Sequence, residues 1–293
     1  MVSEDIEKEW QTPEKKKLKS GLYIVATPIG NLRDISLRAL DTLGAADTII
    51  CEDTRVTRKL LSAYQIKARL QSYNDHSDAS RREQIVSMVS DGQVVVLVSD
   101  AGMPLISDPG YKLIVACEEA GLYVTSIPGA NAPLTALQLS AMPSDRFCFL
   151  GFLPNKVKAR QDLLREWKDV RATLVAFEAP PRLLKALTDI ENVLEDRDVA
   201  VVREITKMYE EVRRGKARDL ITYYTDHGLP KGEIVLVIAP PEKGEVSHDD
   251  LVEMIRDALK TMRTKEASSL VAEKTGMKKN DVYALALEIG KEH

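Results

Sequence analysis

Val94-Val95-Val96-Leu97-Val98-Ser99-Asp100-Ala101-Gly102-Met103-Pro104-Leu105-Ile106-Ser107-Asp108-Pro109-Gly110 reads as a strand buried on both faces that runs into a tight loop. A continuous apolar β-branched run suits a parallel sheet, where helices cover both faces. The loop then opens a helix, with Asp108 at the N-cap, Pro109 at the first helical position and Tyr111 to Ala120 as the body. A carboxylate, small residues and two prolines thus close a buried strand, and in open α/β sheets ligands bind at that end.

Working outward, the same build recurs. Leu22 to Val25 is a strand ending in Thr27-Pro28-Ile29-Gly30-Asn31-Leu32, and Ser36 caps the helix that follows. Asp47 to Cys51 ends in Glu52-Asp53-Thr54-Arg55; Leu70 to Tyr73 precedes a helix with a Ser80/Glu83 capping box. Leu122 to Ile127 ends in Pro128-Gly129-Ala130-Asn131-Ala132-Pro133, which opens a further helix. Strand and helix alternate over residues 20–141, the pattern of an α/β domain with a mostly parallel sheet. After Ala141-Met142-Pro143-Ser144, a second α/β domain spans 145–241, with strands at Phe147 to Phe152, Thr173 to Phe177, Val199 to Val202 and Glu233 to Ala239. Residues 246–293 are helical only. Ala272, Gly276 and Val282 have the small, positive-φ and buried spacing of a helix-turn-helix. Residues 1–19 read as a polar lead-in.

Composition narrows the function classes. The chain has 293 residues, enough for two domains and an appendage, with 41 basic and 45 acidic residues. A net charge of −4 excludes a general polyanion binder, so any nucleic-acid contact must use a local basic face. No apolar stretch reaches membrane-span length and the N-terminus lacks a signal-peptide core, which predicts a cytoplasmic protein with no membrane association. The three cysteines and four histidines have no metal spacing, so no metal is expected. The chain lacks G-x-G-x-x-G after a strand, a P-loop and G-x-S-x-G. Carboxylates and glycine-proline turns at strand ends suit a small cationic or zwitterionic ligand better than a triphosphate; the residues alone do not choose among such ligands.

Taken together, the blocks Thr27 to Leu32, Glu52 to Arg55, Ser99 to Gly110, Pro128-Gly129-Ala130, Gly151 to Pro154, Glu178-Ala179-Pro180-Pro181-Arg182, Arg203-Glu204-Ile205-Thr206-Lys207 and Gly232-Glu233 closely resemble, in order, the RsmI branch of the tetrapyrrole methylase superfamily. The resemblance implies two α/β domains of the tetrapyrrole methylase type with a cofactor cleft between them, plus a small C-terminal helical domain. It implies a homodimer that uses S-adenosylmethionine for 2′-O-methylation of a cytidine ribose in the decoding region of 16S rRNA, within the small ribosomal subunit. By the same analogy, cofactor contacts fall on Pro28, Asp100, Ala101, Gly102, Ile106 and Ser107, on Ala130 and Ala132, and on Phe177, Ile205 and Ile234. The turn Pro128-Gly129-Ala130-Asn131 departs from relatives that carry a serine there; a backbone contact survives that change and a hydroxyl contact does not.

Methyl transfer from a sulfonium chiefly requires alignment, and a ribose hydroxyl gains from a nearby base. Asp53, Glu178, Glu204 and Lys207 are the catalytic candidates, Lys207 only with a lowered pKa. Residues 146–171 carry seven basic groups against three acids, and residues 203–218 six against three. Lys156, Lys158, Arg160, Arg182, Arg213 and Arg214 are therefore the expected RNA contacts. Two other readings remain at this point: a tetrapyrrole-precursor C-methyltransferase, and a non-enzymatic nucleic-acid-binding regulator that uses the terminal helices.

Overall fold

The computed structural model describes residues 18–73, 79–108, 110–241 and 248–289. Residues 1–17 of the expected lead-in, and Pro109, lie outside them. The chain divides into two compact units, the first holding both sheets and the second the terminal helices.

The first half of the larger unit runs β1 (Gly21–Val25), α1 (Leu37–Ala45), β2 (Thr48–Cys51), α2 (Thr54–Ala63), β3 (Leu70–Ser72), α3 (Ala79–Ser90), β4 (Val94–Val98), α4 (Tyr111–Glu119) and β5 (Val124–Ile127). Its five strands are all parallel in the order β3-β2-β4-β1-β5. β4 is central and wholly buried because both faces are helix-covered. Val94, Val96 and Val98 pack with Leu40, Leu43, Leu60 and Leu61 of α1 and α2. Val95 and Leu97 point the other way, onto Ile85 and Val89 of α3 and Leu113 and Cys117 of α4. The period-two alternation of a strand thus feeds two cores from one apolar run.

Ser36 accepts from the Ala39 N–H at 3.1 Å and caps α1, as its position predicts. Two expected caps are corrected. α3 already begins at Ala79, so Ser80 lies inside the helix rather than ahead of it. The N-cap of α4 is Gly110, with φ 137° and no side-chain cap, and not Asp108. A Cβ at Gly110 would stand 2.9 Å from Leu97 Cδ2, so the chain turns on a glycine there and releases the Asp108 carboxyl for another use.

The second half adds α5 (Ala132–Ser140), β6 (Phe147–Phe152), α6 (Val157–Glu166), β7 (Thr173–Glu178), α7 (Leu183–Leu194), β8 (Asp198–Arg203), β9 (Glu211–Lys216), α8 (Ala217–His227) and β10 (Ile234–Ile238). The sheet order is β6-β7-β10-β8-β9, with only β6 and β7 parallel. One face is covered by α5, whose Ala136 and Leu137 pack on Val175, Ala200, Val202, Val235 and Val237. The opposite face lies under Leu164, Leu183, Leu187, Ile190 and Leu220 of α6, α7 and α8. Since α5 follows the first sheet and covers the second, it fixes the two sheets within one unit.

The second unit contains α9 (His248–Leu259), α10 (Thr264–Thr275) and α11 (Lys279–Ile289). Ile255, Val271, Val282 and Ala286 form its core. α10 ends at Gly276 with φ 71°, and the Gly276 N–H returns to the Ala272 carbonyl at 2.8 Å, the left-handed cap that the spacing predicts. Among the described residues, no helix is long and apolar enough to cross a membrane.

Candidate cofactor cavity

The loops that close β1 and β4 are joined by main chain. Thr27 N–H donates to Gly102 O at 2.9 Å and Gly102 N–H returns to Thr27 O at 3.0 Å. Thr27 Oγ1 donates to the Ser99 carbonyl and Ser99 Oγ to the Gly102 carbonyl, both at 3.2 Å. Gly102 has φ 79°, and a Cβ there would meet Ile29 Cγ2 at 3.2 Å. From the other direction, Gly30 lies so close to the loop after β8 that a Cβ would stand 2.5 Å from Lys207 Cγ and 3.0 Å from the Ile205 carbonyl. The two loop systems enclose a cavity of about 400 Å³.

Its lining draws on both halves of the unit. Asp100, Ala101, Ile106 and Ser107 come from the first; Ala132, Phe177, Ile205 and Ile234 come from the second. These are eight of the eleven residues that the family resemblance nominates for the cofactor. Pro28, Gly102 and Ala130 shape the adjoining turns without lining the cavity. Ile106 is flanked by left-handed Leu105 (φ 72°) and Ser107 (φ 67°); across the cavity Ile205 is flanked by Glu204 (φ 49°) and Thr206 (φ 66°). Non-glycine residues hold that conformation at about 1–3 kcal/mol each, and such strain gathers at ligand sites.

Charge in the lining is one-sided. Asp100, Asp108, Glu178 and Glu233 contribute, and no lysine, arginine or histidine does among the described lining residues. Asp100 Oδ1 accepts from the Asp53 N–H at 3.1 Å, which ties the β4 loop to the β2 loop. Asp108, Phe152, Ala179, Pro180 and Glu233 are lining residues that sequence reasoning missed. The Pro-Gly pair after Asp108, a turn signal in the sequence, was the clue that the helix starts at Gly110 rather than at Asp108.

Burial, reinforced by the nearby Glu52 and Asp100 charges and opposed by a hydrogen bond from Ser99, raises the Asp108 carboxyl to about 6. Folding therefore disfavours its charge. The unfolded chain ionises Asp108 in the ordinary range, so its cost is complete above the folded value and disappears as pH falls toward 3.8. Asp108→Asn is accordingly expected to raise Tm at pH 7.5, with the gain shrinking progressively between pH 6 and pH 4. A scanning-calorimetry series that finds the same Tm change at both ends would contradict it.

The four catalytic candidates separate. Asp53 caps α2, accepts from Arg55 N–H at 2.7 Å and pairs with the Arg55 guanidinium at 2.6 Å. The hydrogen bonds from Arg55 pull its pKa down to about 2, which leaves a weak base outside the cavity lining. Glu178 is raised by burial, but its side chain is fully enclosed, accepting from Ala179 N–H at 2.7 Å and from Arg182 at 2.6 Å. Glu204 accepts from Lys207 Nζ at 2.9 Å and from Glu233 N–H at 3.0 Å, and the Lys207 bond lowers it. Burial draws Lys207 down, yet hydrogen bonds to Glu204 and Glu233 outweigh that, and its pKa is raised. This reverses the condition under which Lys207 serves as a base.

Among the basic candidates, Arg160 is corrected, and Arg182, Arg213 and Arg214 are each engaged within the protein. Arg160 is buried, paired with Asp189 at 2.5 Å and bonded to the Pro154 carbonyl at 3.0 Å, so it cannot meet phosphate. Arg214 Nε donates to the Ser140 carbonyl at 2.9 Å and its Nη2 to Leu139, capping the C-terminus of α5. Arg213 lies 3.6 Å over the Tyr223 ring and pairs with Glu211, while Arg182 holds Glu178. Lys156 and Lys158 are exposed at the start of α6.

Comparison with known proteins agrees with this architecture. The tetrapyrrole (corrin/porphyrin) methylase model matches residues 21–221, and the RsmI C-terminal HTH domain model matches 245–290. A ribosomal RNA small subunit methyltransferase I from Erythrobacter litoralis is 50% identical over 272 residues, covering 93% of this chain and 96% of the relative. One from Rickettsia prowazekii is 48% identical over 222 residues, 76% of this chain and 79% of the relative. Among solved structures, uroporphyrin-III-C-methyltransferase from Thermus thermophilus aligns with TM-score 0.53 at 20% identity, over 75% of this chain and 94% of that one. Diphthine synthase aligns with TM-score 0.58 at 15% identity, over 74% of this chain and 89% of that one. The solved structures share the fold, and the sequence matches carry the finer assignment: the chain belongs to the tetrapyrrole methylase family, among the ribosomal RNA small subunit methyltransferases I.

Proposed function

We propose that the cavity binds S-adenosylmethionine and that the chain, as a cytoplasmic homodimer, methylates the 2′ oxygen of a cytidine ribose in the decoding region of 16S rRNA within the small subunit. The observation that carries the cofactor reading is the charge of the lining: the carboxyl groups of Asp100, Asp108 and Glu233, no basic side chain among the described lining residues, and apolar walls from Ile29, Phe152, Phe177, Ile205 and Ile234. Carboxylates disfavour a triphosphate and favour a cation, while apolar side chains suit a nucleobase. The relatives' name supports the substrate class.

In this reading Asp100, Ala101, Ile106 and Ser107 hold the ligand from one side, and Ala132, Phe177, Ile205 and Ile234 from the other. When bound, the cofactor supplies a methyl group on an already activated sulfonium. The protein's share is chiefly positional. The strained turns around Ile106 and Ile205 fix both walls, and the Glu204–Lys207–Glu233 ion pairs brace the second. No strong base is required of Asp53, Glu204 or Lys207, whose charges are already matched. Lys156 and Lys158 are the expected phosphate contacts.

The test supplies methyl-labelled S-adenosylmethionine together with assembled small subunits, naked 16S rRNA or a tetrapyrrole precursor. Label entering the rRNA of the small subunit is the expected result. Transfer to the tetrapyrrole alone, or to none of the three, refutes the reading.

A further inference from the structure

We infer that Asp108 is the residue by which the cavity distinguishes a cationic sulfonium ligand from the neutral thioether left after methyl transfer. The inference rests on the cavity being an S-adenosylmethionine site. It starts from a contrast among the carboxyl groups of the lining. Glu178 is matched by Arg182, and Glu233 by Lys207. Asp100 accepts the Asp53 N–H and links two loops. Asp108 differs, since it faces the Ser99 hydroxyl and the like charges of Glu52 and Asp100, with no cation of the described residues acting on it. It is partly buried, so little solvent screens whatever charge enters beside it.

The backbone supports that placement. Ser107, just before it, is left-handed, and Gly110, two residues on, has φ 137° where a side chain would strike Leu97. The loop therefore leaves Asp108 free of the helix-capping role its sequence position suggests and sets it in the cavity lining. A carboxyl group that burial holds near neutrality responds to a ligand's charge: a cation favours its ionised form, and reciprocally ionisation favours the cation. A neutral thioether has no such coupling at sulfur. The two ligands share their nucleoside and amino-acid parts, so the ratio of their affinities isolates the charge on sulfur.

The experiment is calorimetric titration of the full chain with S-adenosylmethionine and S-adenosylhomocysteine at pH 5, 6 and 7. The wild-type preference for S-adenosylmethionine is expected to grow about fivefold from pH 5 to pH 7, the part of a one-unit pKa coupling that falls in that window. In Asp108→Asn the ratio is expected to stay flat. A flat wild-type ratio, or an equal rise in the variant, overturns the inference while leaving the cavity a cofactor site. Failure of both ligands to bind at every pH overturns the site reading and the inference with it. Asp108→Ser, which removes the same charge, serves as the second variant, and its ratio is expected to stay flat as well.

Discussion

Arg160→Ala is expected to lower stability by about 3–5 kcal/mol, because it removes one member of a buried ion pair and leaves the other charged. Asp189 is only 4% exposed and would keep just the Gln161 amide at 2.7 Å; the Pro154 carbonyl would lose its donor as well. At roughly 2–4 °C per kcal/mol for a unit of this size, Tm should fall by about 6–20 °C. The double variant Arg160→Met with Asp189→Leu should recover most of the loss, since an apolar pair of similar volume often matches a buried salt bridge. Thermal unfolding of the three proteins checks this. A single variant within about 1 kcal/mol of wild type that binds RNA more weakly would restore the phosphate-contact role that the sequence suggests.

Gly232→Ala is expected to reduce cofactor affinity at least tenfold. Gly232 has φ 94°, and a Cβ would lie 2.2 Å from Glu204 Oε1 and 2.5 Å from Glu204 Cγ. Glu204 must then give up its bonds to Lys207 Nζ and Glu233 N–H, which brace the left-handed turn carrying Ile205. Loss of one charge-assisted hydrogen bond costs about 1.5–3 kcal/mol, and the left-handed alanine about 1 more. Gly44→Ala is the control: it sits in α1 with nothing within 4 Å of its Cβ, and an alanine there should stabilise by about 0.4–1 kcal/mol. Calorimetry that finds unchanged affinity in Gly232→Ala would show that the Ile205 wall is not part of the site.

Much of this was legible in the chain because the signals were local. The apolar run from Val94 to Val98 marks a strand with two cores, and Gly276 marks the end of α10. Loops at strand ends converge in a parallel sheet, which brings Asp100, Ala101, Ile106 and Ser107 to one edge; the choice of individual residues, and Phe177, Ile205 and Ile234 of the mixed second sheet above all, came from the family resemblance. The partners of charged side chains were not legible. Arg160 reads as part of a basic run, yet with Leu164 it forms the buried i, i+4 stripe of α6, and only Asp189, 29 residues away, makes that burial tolerable. Lys207 needed a lowered pKa to act as a base, and its two carboxylate partners lie 3 and 26 residues away in sequence. The antiparallel pairings of β8, β9 and β10 also escaped a simple strand-helix alternation, since pairing direction depends on long-range register rather than local pattern.

Alkaline hydrolysis of 16S rRNA labelled by this protein in small subunits tests the proposed chemistry most directly. Cleavage by alkali requires a free 2′ hydroxyl, so a ribose methyl leaves its own linkage intact. Label recovered in an alkali-resistant dinucleotide headed by cytidine is the expected result. Label released wholly in mononucleotides would place the methyl on a base and contradict transfer to the ribose oxygen.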